Sequence, residues 1–145
     1  GAQGIPERVA AEDFVTSIRA HSEVEGAAWS GAAGTNWIET SNRRDLAHAV
    51  AIVAKAAFDE ARDTPHSVRI ESGDALTMIA GANDALDALQ AGPGAPGAKP
   101  VDFVKGGKGL KLIWAAFVLD RHQVETWTTA DHRASVGFRF PLVKA

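Results

Sequence analysis

Apolar residues recur at helical spacing in two stretches of the chain and alternate with polar ones in several others. Ala11, Phe14, Val15 and Ile18 follow Pro6-Glu7 at such spacing and predict a helix over 7–20. Proline suits its first turn, where the missing N–H costs little, and Glu7, Glu12 and Asp13 suit the positive end of its dipole. A second stripe, Leu46, Ala49, Val50, Val53, Ala57 and Phe58, predicts a helix over 42–62. Asn42 is its expected N-cap, with Asp45 three residues on. Alanines at 47, 49, 51, 54, 56, 57 and 61 favour this helix and let a neighbour approach closely.

Strand signals fill the intervals. Residues 26–30 and 35–40 flank Gly31-Ala32-Ala33-Gly34 and read as a hairpin carrying Trp29 and Trp37. Thr64-Pro65 ends the long helix. Residues 67–72 then alternate, and Gly73-Asp74 suits a two-residue turn that would pair Ser72 with Ala75, Ile70 with Thr77 and Val68 with Ile79. Asn83 suits the cap of a short helix bearing Leu86 and Leu89 and ending at Gly92. Residues 92–100 hold three Pro and three Gly and read as a loop unable to hold a ladder. Residues 110–119 fit either period; β-branched and aromatic content and the preceding glycines favour a strand. Residues 122–129 and 136–142 alternate and predict a closing hairpin around 130–133, with Val136, Phe138, Phe140 and Leu142 on one face.

These elements make one α+β domain of 145 residues: an antiparallel sheet with two main helices packed on it and a strand-rich C-terminal third. Composition narrows the function classes. With 46% hydrophobic and 23% charged residues the chain is globular in type, and a net charge of −3 argues against a whole-domain grip on nucleic acid. The absence of cysteine removes disulfides, thiolate metal sites and a cysteine nucleophile. The longest apolar run, 110–119, contains Lys111 and falls short of the roughly 18–20 residues of a membrane span. The expected setting is cytoplasmic, and the sequence calls for no cofactor.

Candidate chemistry concentrates near the C-terminus. The five histidines, at 21, 48, 66, 122 and 132, form no H-x-x-x-H pair, and no metal site is assigned. Asp120, His122, Glu125, Asp131 and His132 would gather near one end of the sheet, where histidine and carboxylate together can bind a metal or move a proton. The favoured reading is a set of turn and sheet-end residues facing water, since polar residues gather at turns for other reasons; on the rival reading Trp114, Trp127 and Phe138 would line a pocket beside them. Lys105 and Lys108, among glycines and near Lys99 and Lys111, suit an anion nest or a solvated basic loop. The phosphate-loop, dinucleotide and serine-hydrolase motifs are absent. On the 42–62 helix, Ala47, Ala51, Ala54 and Lys55 form a second shallow face that two protomers, or two layers of one chain, could share.

The order helix, two strands, helix, two strands over residues 8–80 resembles the roadblock (dynein light chain 7) family. The likeness rests on Val24-Glu25-Gly26-Ala27-Ala28, on the alanine-rich helix, and on Val68-Arg69-Ile70-Glu71 turning into Ala75-Leu76-Thr77-Met78-Ile79. It implies a small dimeric scaffold that binds small GTPases or other protein partners without catalytic residues of its own. The chain departs from the family after residue 90. The leading expectation is therefore a non-catalytic, homodimeric interaction module. The alternative is a small-ligand-binding protein or enzyme with its pocket in the C-terminal strand-rich part.

Overall fold

The computed structural model describes residues 5–103, 109–130 and 134–144. The order is β1 (Glu7–Ala10), α1 (Ala11–Arg19), β2 (Ala28–Gly31), β3 (Trp37–Thr40), α2 (Arg43–Asp59), β4 (His66–Ser72), β5 (Ala75–Ala82), β6 (Ala98–Pro100), α3 (Leu110–Arg121), β7 (Glu125–Thr129) and β8 (Ser135–Pro141). Short 3-10 turns lie at Ser22–Val24 and Asp87–Leu89. Six strands form one mixed sheet in the order β2-β4-β5-β8-β7-β6, and β1 pairs with β3 apart from it. The α+β class is as the sequence indicates.

Helix α2 is the hub. Asn42 caps it, accepting from the Asp45 N–H at 3.1 Å and donating to the Asp45 carboxylate at 3.1 Å. It packs against α1, α3 and the sheet, so its buried residues run nearly all round it. Ala47, Ala51 and Ala54, the proposed dimer seam, are at most 1% exposed. Their small side chains are buried within this chain, so this face is not open to a second protomer.

Five expectations need correction. Residues 7–10 form a strand, because Val9 pairs with Ile38 and this pairing overrides the helical spacing. The 26–40 hairpin does not form: β2 runs parallel to β4, and β3 is taken by β1. Gly31 ends β2 at φ 87°, and any Cβ there would overlap the Ile70 carbonyl, so only glycine fits. The 67–72 and 75–82 strands do form a hairpin, but Ser72 lies opposite Leu76 and Ile70 opposite Met78. The turn thus holds three residues rather than two, and the one-residue slip sends Leu76 and Met78 to the helix-covered face and Ile79 to the other. Residues 98–100, read as loop, pair with β7 as an edge strand, where Pro100 is tolerated.

The fifth correction is α3, read as a strand. Leu112, Ala115 and Leu119 are buried at helical spacing. Leu110, Ile113, Trp114 and Phe117, which also recur at helical spacing, face outward. The expected closing hairpin is present as β7 and β8, and Val136, Phe138 and Phe140 share the core face. On the opposite face Ile79, Leu86, Leu89 and Trp127 form a small second cluster. No helix among the described residues is long and apolar enough to cross a membrane.

Candidate ligand-binding site

Of the residues singled out from sequence, the described ones, Trp114, Trp127 and His122, do not converge on one site. Trp127 is 1% exposed and belongs to the second cluster, where its indole N–H donates to the Leu89 carbonyl at 3.1 Å. It lies flat over Gly137, where a Cβ would overlap the ring. It is therefore a packing residue, not a ligand platform. Trp114 is on the outer side of α3, with its ring centroid 5.9 Å from that of His48. Asp131, His132, Lys105 and Lys108 lie outside the described residues.

His122 caps the C-terminus of α3 and lines a cleft of about 320 Å³ with Thr40, Leu46 and Phe140. Its Nδ1 is 2.8 Å from the Val118 carbonyl and must donate there; its Nε2 is 2.8 Å from Thr40 Oγ1. Thr40 Oγ1 in turn accepts from the Asn42 N–H at 3.0 Å. Asn42, the Thr40 hydroxyl, the His122 ring and the Val118 carbonyl thus form one linked hydrogen-bonded chain. Each polar group in that chain is satisfied, and Thr40 is 2% exposed. The network ties the end of β3, the start of α2 and the end of α3 together. It leaves His122 no free nitrogen for a substrate.

A second and larger cavity, about 470 Å³, opens between α2, β6 and the β7–β8 end of the sheet. Val53, Ala56, Ala57 and Glu60 line it from the last turns of α2 and its C-cap. Lys99, Pro100, Val101 and Asp102 close one side, and Leu112 brings in the first turn of α3. Thr128, Thr129, Ala130, Ser135 and Val136 form the floor. The Thr128 hydroxyl donates to the Ser135 carbonyl at 3.0 Å. The Thr129 hydroxyl is buried with no hydrogen-bond partner among the described residues. An orphaned buried hydroxyl is unfavourable by about 1–3 kcal/mol, so a group that completes it gains that much in place. The N-cap of α3 is Gly109, at φ 90°, which has no side chain to cap the helix. Volume, small apolar walls and few polar groups are what a pre-formed small-molecule site has.

Sequence reasoning missed this cavity. Val53 and Ala57 read as core stripe, Lys99 as loop and Thr129 as one member of an alternation. The only available signal was the alanine run at the end of α2, where small side chains leave space against a sheet.

No protein-family model matches the chain, and neither does any curated protein. Among solved structures the chain is similar in fold to a sensor histidine kinase. The mycobacterial sensor histidine kinase MprB matches with a TM-score of 0.59 at 16% identity, covering 97% of this chain and 100% of that one. The histidine kinase domain of the E. coli osmosensor EnvZ matches with a TM-score of 0.45 at 19% identity, over 100% of this chain and 96% of that one, a similarity too loose to build on. At 16% identity the MprB likeness establishes fold and not activity. It nevertheless overturns the expectation of a non-catalytic homodimeric scaffold, whose alanine-rich contact face is already buried within the chain. The fold and the cavity favour the small-ligand alternative.

Proposed function

We propose that the chain is a nucleotide-binding domain, with ATP or ADP held in the cavity between α2, β6 and the β7–β8 end of the sheet. The carrying observation is that cavity with its Thr129 hydroxyl, which has no partner among the described residues. The MprB-like fold supports the choice of ligand, since a kinase draws its phosphoryl group from a nucleoside triphosphate. The walls suit the two ends of such a molecule. Val53, Ala56, Ala57 and Val136 give an apolar slot for a flat base, and the Thr129 hydroxyl supplies a contact for its polar edge. Lys99 and the first turn of α3 supply positive charge and N–H groups for phosphate. This site lies in the C-terminal strand-rich part, but its residues differ from the Trp114, Trp127 and His122 set read from sequence.

Calorimetric titration with Mg-ATP, ADP and adenosine tests the reading. The expected result is saturable binding of both nucleotides, weaker for adenosine, and reduced at least about tenfold by Ala56→Trp, which fills the slot. Failure of all three to bind at millimolar concentration, or binding indifferent to Ala56→Trp, would overturn it.

A further inference from the structure

Three ligand-type side chains converge away from that cavity, where the turn after α1 meets α2. His21 immediately precedes the 3-10 turn, Glu23 lies inside it, and His48 comes from the first half of α2. His48 Nε2 is 2.8 Å from Glu23 Oε2, and His21 Nδ1 is 3.9 Å from Glu23 Oε1. The two imidazoles are parallel, 2° apart in plane with centroids at 4.7 Å, and each turns a nitrogen to the same carboxylate. One donor atom from each residue lies within 4.8 Å of the other two.

The backbone beneath them is fixed. Val24 anchors the turn at 1% exposure, and α2 is the most enclosed helix of the fold. The side chains themselves are 31%, 17% and 39% exposed for His21, Glu23 and His48, so an ion can reach them from solvent. Burial pushes the Glu23 carboxyl up, but the His48 hydrogen bond, its own backbone N–H and the two imidazoles outweigh this and hold it below the ordinary carboxylate range. The ionised form is the one a cation takes.

We propose that His21, Glu23 and His48 form a binding site for a divalent transition ion of the zinc class, with solvent completing its coordination. Two imidazoles and a carboxylate are borderline donors that suit Zn²⁺ and its neighbours rather than Ca²⁺ or Mg²⁺. Ligand bonds of about 2.0–2.2 Å place tetrahedral donors roughly 3.3 Å apart. The 2.8 Å His48–Glu23 contact then opens by about half an ångström, and donor separations of up to 4.8 Å close by up to about 1.5 Å through side-chain rotation. The ion would staple the α1–β2 connection to α2. The sequence hides the site because His21 and Glu23 meet His48 only through tertiary packing.

Zn²⁺ titrated by calorimetry into the metal-stripped full chain is the direct test. The site requires about one ion per chain and at least a roughly tenfold loss of affinity in His21→Gln and in His48→Gln. Both side chains are partly exposed, so circular dichroism is expected to show the variants folded. Imidazole NMR resonances of the unaltered chain give a second readout that needs no variant: those of His21 and His48 shift on Zn²⁺ addition. Cu²⁺ should also quench the fluorescence of nearby Trp114, and Trp114→Phe should abolish that quenching while keeping Zn²⁺ affinity. No saturable Zn²⁺ binding, shifts confined to other histidines, or equal binding by the His21→Gln/His48→Gln double variant would overturn the proposal.

Discussion

The His122 cleft and the Thr129 cavity have volumes of about 320 and 470 Å³ and draw on the same helices. They differ in how their polar groups end. In the first, Asn42, Thr40, His122 and the Val118 carbonyl satisfy one another in a closed chain. In the second, the Thr129 hydroxyl ends without a partner among the described residues. A closed network spends its hydrogen bonds on holding elements together; an open end in a roomy cavity is where an added molecule gains most. The histidine that looked most chemical in the sequence is thus structural, and an unremarked threonine marks the candidate site.

Four substitutions break or sharpen this contrast. The largest effect is expected from His122→Ala, which removes the ring partner of the buried Thr40 hydroxyl and one of the two N–H groups that His122 offers the Val118 carbonyl. Chemical denaturation should show a loss of about 2 kcal/mol, with nucleotide affinity unchanged in the folded fraction. Ala56→Trp should do the reverse, leaving stability nearly intact and cutting affinity at least about tenfold, or about 1.4 kcal/mol. Gln123→Gly should stabilise by about 1 kcal/mol in the same denaturation experiment. Gln123 has φ 58° at the end of α3, where Val124 N–H reaches the Leu119 carbonyl at 3.0 Å, a closure that favours glycine. Thr129→Val carries the smallest change in stability, neutral to stabilising by up to about 1 kcal/mol, with affinity falling several-fold. Destabilisation by Thr129→Val would show that its hydroxyl is structural after all and erase the contrast.

Legibility in the sequence followed how local each signal was. Helix α2 was readable because its apolar stripe and its Asn42–Asp45 cap agree within a few residues. The β7–β8 hairpin was readable from two clean alternations. The β4–β5 pair was readable as a hairpin but not in register, since a three-residue turn and a two-residue turn share the same Gly73-Asp74 signal. Helix α3 was not readable: apolar residues at nearly every position satisfy both periods, and what decided was the fit of Leu112, Ala115 and Leu119 against α2. The cavity was hidden for a related reason. It is an absence of side-chain volume at Ala56 and Ala57, set between elements that meet only on folding.

The most direct test is to follow backbone amide NMR shifts while Mg-ATP is added to the full chain. The account expects saturable shifts at Ala56, Ala57, Leu112 and Thr129, with Thr40 and His122 unmoved. Shifts centred on Thr40 and His122, or none at millimolar nucleotide, would contradict it.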